Sequence, residues 1–336
     1  MALKSLDPRL RGDDEQKNLS KRVVRGSASS QLTPTPPRQN QNERGTTHHH
    51  ARQSSKQSNT DFLSPMYIET TGAPPDSGRP AIALIHGWAM HGGLFAPLVE
   101  RLAARFTVHL IDLPGHGHAR DDGTALDPRA LAADLVARIP DAYWLGWSLG
   151  GQVALRAGLD HAQRVRGLIL IASSPRFVIG EDWPHGVSPD LFRNFGEALD
   201  RDFRGTLEGF LALEALGSPS AQEELRSLKQ QAFARGEPAA RTLQEGLVLL
   251  DEFDVRGELP RLQVPSLWIS GRRDRLVPSG AMPAAAALAP GGRSEVIAHA
   301  GHAPFLGATD QVARLIETFV DDTGTTATAT THGAQA

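Results

Sequence analysis

Residues Leu145-Gly146-Trp147-Ser148-Leu149-Gly150-Gly151 set a serine between glycines where a short apolar run gives way to helical text. Glycines suit that position because a strand turning sharply into a helix strains its backbone, and the helix start must pack close beneath the hydroxyl. Only three positions of this Gly-x-Ser-x-Gly pattern are fixed, so its setting carries the weight. Ala142-Tyr143-Trp144-Leu145 reads as a buried strand before it, and Gln152-Val153-Ala154-Leu155-Arg156 as a helix after it. A chain with this corner must supply a sheet whose strand ends there, and Ser148 becomes the candidate nucleophile.

The rest of the text supplies that sheet. From Met66 onward, apolar runs at 81–85, 107–112, 142–146, 167–172, 266–270 and 294–297 alternate with helical stretches such as 94–104, 127–138, 150–158 and 310–320. That rhythm predicts an α/β fold: a mostly parallel central sheet flanked by helices, with ligands bound at the carboxyl ends of the strands. From Pro175 to Gly257 the alternation stops and only helical text remains, for example Leu191 to Leu199 and Leu207 to Leu216. This segment, 175–257, reads as a helical cap inserted between two halves of the core, 66–174 and 258–320. An insertion at that point lies over the site and shapes its pocket.

Composition narrows the function. The 336 residues contain no cysteine, which excludes disulfides, thiol nucleophiles and thiolate metal sites. Residues 1–60 hold 11 basic and 5 acidic side chains, whereas the remainder holds 24 and 33. An acidic catalytic region argues against nucleic-acid binding, where a basic face supplies most of the affinity. The first 65 residues are polar and lack apolar periodicity, so they are expected to be disordered, and His48, His49 and His50 belong to this stretch rather than to a metal site. Residues 321–336, rich in Thr, Ala and Gly, read as a second disordered tail. No apolar run reaches the roughly 20 residues that span a bilayer, so no membrane partner is expected. The first residues lack the apolar core of a secretory signal, so a cytoplasmic location is expected.

A serine hydroxyl is a poor nucleophile at neutral pH and needs a base, itself held in the right tautomer by an acid. The run 266–270 ends in Gly271-Arg272-Arg273-Asp274-Arg275, which puts Asp274 in a loop at the upper edge of the sheet. The run 294–297 leads into Ala298-His299-Ala300-Gly301-His302, which puts His302 in the next such loop. The order Ser, Asp, His is that of triads on this kind of sheet. His299 is the alternative base, but it precedes the Gly301 turn, so His302 is preferred. Asp251 and Asp254 fall in the cap and read as solvated or structural, and Asp274 also has a reading as one charge of an arginine-rich surface loop. Backbone donors for a developing oxyanion are expected from Trp88, after His86-Gly87, and from Leu149, after the serine. His86 reads as a structural hydrogen bonder, and the turn of Asp112, Pro114, Gly115 and Gly117 as a brace for that face.

With these motifs in order, residues from about 66 to 320 resemble the α/β-hydrolase superfamily. Within it the text is similar to the BioH-like pimeloyl-[acyl-carrier protein] methyl ester esterases, on LIHGWAMH at 84–91, HLIDLPGHGHAR at 109–120, YWLGWSLGG at 143–151, LILIASSPRF at 168–177, FLALEALG at 210–217 and HAPF at 302–305. The resemblance implies an α/β-hydrolase fold and a serine esterase that frees pimeloyl-carrier protein from its methyl ester in biotin synthesis. It implies Ser148, Asp274 and His302 as the triad, and Trp88, Leu149 and Phe210 as the lining of the ester pocket. No cofactor and no metal are implied, and the expected partner is an acyl-carrier protein meeting a monomer. In the family, basic cap residues meet that acidic carrier. Here Arg201, Arg204, Arg226 and Lys229 are the candidates, with an ordinary solvated helix face as the alternative, and Gly205 and Gly209 stand where further cations would be expected. The extension before residue 66 lies outside the family pattern, with Met66 as an alternative start.

Two rival readings remain. A general carboxylesterase or thioesterase of the same fold shares every catalytic residue, and a non-catalytic hydrolase-like binding protein would keep the corner but break the triad. Dehalogenase and epoxide hydrolase chemistry needs a carboxylate where Ser148 stands.

Overall fold

The computed structural model describes residues 66–333. The expectations for residues 1–65, including the three adjacent histidines, lie outside the described residues.

Seven strands form one sheet: β1 (Tyr67–Gly72), β2 (Ala81–Ile85), β3 (Thr107–Asp112), β4 (Ala142–Trp147), β5 (Val165–Ile171), β6 (Ser266–Gly271) and β7 (Gly292–Ile297). Their order across the sheet is β1-β3-β2-β4-β5-β6-β7. β1 pairs antiparallel with β3, and the other neighbours are parallel. Every residue of β2, β3, β4 and β6 is buried, which is why these strands are rich in apolar residues, although Thr107, His109 and Asp112 of β3 and Ser266 and Ser270 of β6 are buried polar ones: helices cover both faces of a parallel sheet. β1 is an edge strand that alternates between exposed and half-buried positions, and its Thr and Glu residues gave no apolar run to read.

The crossovers are helical. α1 (Ala96–Leu102) joins β2 to β3, α2 (Pro128–Arg138) joins β3 to β4, and α3 (Gly150–Asp160) joins β4 to β5. Asp127 starts α2 by accepting hydrogen bonds from the Arg129 and Ala130 N–H groups, with Pro128 in the first turn. Because β2 connects to β3 on one side and β4 lies on the other, the strand order reverses beside β2. A crevice opens at the carboxyl ends of strands at such a reversal. The loops after β2 and β4, which carry Trp88 and Ser148, meet there.

Between β5 and β6 lie four helices: α4 (Asp190–Leu199), α5 (Phe203–Ala215), α6 (Ala221–Ala232) and α7 (Ala240–Glu252). Leu207, Phe210 and Leu211 of α5 and Leu243, Leu247 and Leu250 of α7 are buried at helical spacing and join the same hydrophobic core as the sheet. α8 (Ala281–Leu288) joins β6 to β7, and α9 (Pro304–Gly307) follows β7.

The last helix, α10, corrects the sequence reading. It spans Thr309–Gly333, so most of the segment 321–336 assigned to a disordered tail continues the helix. Its middle is tied down: Asp321 pairs with Arg105, Asp322 with Arg293 at 2.7 Å, and the Thr323 hydroxyl bonds Phe319 O at 2.8 Å and lies 2.9 Å from the Tyr143 hydroxyl. Alanine and threonine without proline do not stop a helix that tertiary contacts hold in place. Among the described residues, no helix is long and apolar enough to cross a membrane.

Candidate active site

The corner after β4 is tight enough to exclude side chains. Ser148 itself sits at φ 53°, a left-handed conformation rare for any residue but glycine. A Cβ on Gly146 would run into the backbone of Gly150 and Gly151, and one on Gly150 into the carbonyls of Ile85 and His86. The two glycines therefore let α3 begin directly against β2. This geometry lifts the Ser148 hydroxyl above the sheet.

His302 and Asp274 meet that hydroxyl. His302 Nε2 lies 2.9 Å from Ser148 Oγ, and His302 Nδ1 lies 2.8 Å from Asp274 Oδ2. Asp274 is fixed in turn, because its Oδ1 accepts hydrogen bonds from the N–H groups of Leu276 at 2.8 Å and Val277 at 2.9 Å. The carboxylate thus cannot rotate away, and the Nδ1 proton stays on the side facing it. Trp147 Nε1 donates to His302 O at 2.9 Å, anchoring the histidine loop from beneath. Burial of His302 opposes its charged form, but the Asp274 charge and hydrogen bond outweigh burial and raise the imidazole above its ordinary range. A base so placed can take a proton from Ser148 and hold the resulting charge. His299 is not part of this arrangement.

Trp88 and Leu149 flank the serine from the other side. A Cβ on Gly87 would lie 3.1 Å from Ser148 Cβ, so the backbone leading into Trp88 runs alongside the nucleophile. Among the described residues neither the Trp88 N–H nor the Leu149 N–H donates a hydrogen bond within the chain, which leaves both available to an oxyanion. The Trp88 indole donates to Leu243 O of α7 at 2.8 Å, and its ring meets that of Phe210 on α5 at 4.4 Å between centroids. Phe195 of α4 packs edge-on against Phe210 at 5.3 Å. The three residues expected to line an ester pocket therefore come from the core and from the cap.

The bracing residues behave as structure. His86 Nδ1 donates to Gly87 O at 2.8 Å and its Nε2 accepts from the Leu113 N–H at 3.0 Å. Burial pushes His86 down to about 3 and His116 down to about 4, so both stay neutral. Asp254 pairs with Arg256 and Arg176, which fits its structural reading.

Three of the four candidate carrier contacts are already engaged. Arg201 pairs with Glu197 at 3.7 Å, Arg204 with Glu237, and Lys229 with Glu208. Arg226 is exposed on α6.

The residue that sequence reasoning missed is Glu214. It lies on α5 within FLALEALG and is fully buried, with both carboxyl oxygens lacking a hydrogen-bond partner among the described residues. A signal was present: Leu207, Phe210, Leu211 and Glu214 stand at i, i+3, i+4 and i+7, which places an acid on the inward stripe of the helix.

The chain is similar in sequence and in fold to known proteins. The sequence profile of the alpha/beta hydrolase fold family matches residues 80–309. A pimeloyl-[acyl-carrier protein] methyl ester esterase of Stenotrophomonas maltophilia (strain R551-3) is 57% identical over 255 residues, covering 76% of this chain and 96% of that protein. An esterase of the same name from Xanthomonas oryzae pv. oryzae (strain MAFF 311018) is also 57% identical over 255 residues, covering 76% and 98%. In solved structures, the enol-lactonase from Burkholderia xenovorans LB400 superimposes with a TM-score of 0.67 at 19% identity, covering 76% of this chain and 96% of that one. That likeness concerns the fold alone.

Proposed function

The chain belongs to the α/β-hydrolase family, in the group of pimeloyl-[acyl-carrier protein] methyl ester esterases, and on that footing we propose that it cleaves the methyl ester of pimeloyl-[acyl-carrier protein] to methanol and the free acid in biotin synthesis. The observation that carries the chemistry is the unbroken relay from Ser148 Oγ through His302 to Asp274, at 2.9 and 2.8 Å. The observation that carries the substrate is the 57% identity to the esterases of that name over nearly their whole length.

The residues perform the reaction in two halves. His302 Nε2 takes the Ser148 proton as Oγ attacks the ester carbonyl, and Asp274 stabilises the imidazolium that forms. The carbonyl oxygen, now an anion, accepts hydrogen bonds from the Trp88 and Leu149 N–H groups; each such donor is worth about 10²–10³ in rate. The carbonyl re-forms, the methoxide leaves, and it takes the proton from His302 as methanol. Water then attacks the acyl-serine by the same route in reverse, with His302 as base, releasing the carrier-bound acid and restoring Ser148.

The carrier protein is the proposed partner, and Arg201, Arg204, Arg226 and Lys229 are its proposed contacts. The pairing of Arg201, Arg204 and Lys229 inside the cap is no obstacle, since exposed ion pairs are worth about 0–1 kcal/mol and a more acidic surface can displace them. The test is Ser148→Ala against the carrier-bound methyl ester. Turnover is expected to fall by at least about 10³-fold with the fold intact by circular dichroism. A variant that still hydrolyses the ester near the original rate would overturn the mechanism, and faster turnover of short free esters than of the carrier-bound one would favour a general carboxylesterase instead.

A further inference from the structure

We propose that Glu214 is a positioning residue of the reaction: a cap residue whose backbone is seated against the catalytic loop and whose buried carboxyl sets the charge felt by the His302 imidazole, making the cap a participant in the proton transfer. The proposal rests on the triad reading given above.

Glu214 lies where the cap touches the triad. Its backbone carbonyl accepts a hydrogen bond from the His302 N–H at 3.4 Å, and the same carbonyl sits 3.5 Å from where a Cβ on Gly301 would be. The side chain is fully buried, and neither carboxyl oxygen has a partner among the described residues. A buried polar group without a partner costs about 1–3 kcal/mol, more if charged, so an apolar side chain would serve packing better. The carboxyl is therefore out of place as structure and well placed as chemistry.

The ionisable groups around α5 divide cleanly. On α4, Asp190 pairs with Arg193 and Glu197 with Arg201, all at the surface. On α6, Glu223 and Arg226 are exposed, Lys229 pairs with Glu208, and Glu224 is bonded by Ser218 and Ser220. In the loop after β6, Arg273 is exposed and reaches toward Gly217 O. The two charged groups that act on the Glu214 carboxyl are His302, which favours its ionised form, and Asp274, which opposes it.

Burial outweighs His302 and, with Asp274, raises Glu214 to about 8. At neutral pH the carboxyl thus keeps its proton, and Asp274 is the one anion beside His302. As pH rises through about 8, Glu214 loses that proton to solvent and a second negative charge faces the imidazole. This charge favours the imidazolium that must form in the transition state, so the step is expected to speed up. The influence is mutual, since Glu214, once ionised, raises His302 in turn.

The experiment follows the rate of Ser148 modification by a neutral phosphonate ester from pH 6 to 9.5, in the full chain and in Glu214→Gln and Glu214→Leu. Gln keeps the shape, and Leu removes the polar group should the amide disturb folding. The ratio of the unsubstituted rate to each variant's rate is expected to climb about threefold between pH 7 and 9. That is half, on a logarithmic scale, of the factor of ten that one pKa unit on the imidazole represents. A ratio that is flat or falls overturns the proposal, whatever the absolute rates. The unsubstituted protein gives an independent check: its own profile should need two ionisations, and a profile fitted by one alone overturns the proposal without any variant. Absence of labelling at Ser148 at every pH would be a failure of the triad reading, and is thereby told apart from a failure at Glu214.

Discussion

At the scale of single residues, the site turns on how firmly one carboxylate is held. Asp274 spends one oxygen on two backbone N–H groups and the other on His302, and it is buried. Asn at this position would keep the shape but lose the charge, and its amide could face His302 with an N–H that forces the wrong tautomer. Asp274→Asn is therefore expected to lower kcat by about 10⁴-fold. The same change has a signed effect on pH dependence. The base works only when neutral, and His302 is raised above its ordinary 6.5 by Asp274, so activity is lost as pH falls through that raised value. Removing the Asp274 charge lowers the imidazole, and the acid limb of the residual kcat/KM profile is expected to move to lower pH. A limb that stays in place would mean that another group holds His302 charged.

At the scale of elements, packing gives meaning to residues whose type alone says little. Gly246 sits inside α7, where glycine is roughly 1 kcal/mol worse than alanine. Its reason is the core beneath: a Cβ there would lie 2.6 Å from Trp88 Cδ1 and 3.2 Å from Leu149 Cδ1. Gly246→Ala is thus expected to destabilise by about 1–3 kcal/mol despite its better helix propensity, and to lower kcat/KM, because the two residues it displaces carry the proposed oxyanion donors. Urea unfolding and ester turnover measure the two effects. A variant stabilised by the substitution would show that α7 does not bear on that pocket. This contact was not legible in the sequence, whereas β2, β3, β4 and β6 were, since a strand buried on both faces is rich in apolar residues. The edge strand β1 was hidden because one face meets solvent. Ser148, Asp274 and His302 were legible because each follows a readable strand, and chain order then fixes which loops meet. The pairing of Arg201, Arg204 and Lys229 was not, and of Glu214 only the place on the inward stripe of α5 was, because what each meets depends on how helices of the cap lie against their neighbours, which no local pattern records. The α10 extension past 321 was hidden for a similar reason: its hold comes from Arg105, Arg293 and Tyr143, far away in the chain.

At the scale of the whole molecule, the question is what keeps the cap on the core, since Ser148 and His302 are sealed beneath it. Besides the apolar contacts, a cation of the cap pairs with two carboxylates of the core. Arg235, just after α6, reaches Asp112 at the end of β3 with Nη1 at 3.0 Å and Glu69 of β1 with Nη2 at 2.9 Å. Next to it His91 Nε2 lies 2.7 Å from Gln231 O. Asp112 is buried, which alone would raise its carboxyl, but His86, the N–H groups of His118 and Gly92, and Arg235 together hold it below the ordinary carboxylate range. Truncating Arg235 leaves that buried charge with its N–H donors and no cation. Arg235→Met is therefore expected to cost on the order of 3 kcal/mol at pH 7, read from urea unfolding. A depressed carboxyl contributes stability above its unfolded value of 3.8 and loses it as pH falls through its folded value, so the gap between the two proteins should close in acid. Asp112→Asn provides the control, since in a double-mutant cycle the two changes should couple by about 0.5–3 kcal/mol. Additive losses would mean that the guanidinium and the carboxylate stabilise the molecule separately, and that their ion pair is not what holds the cap on the core.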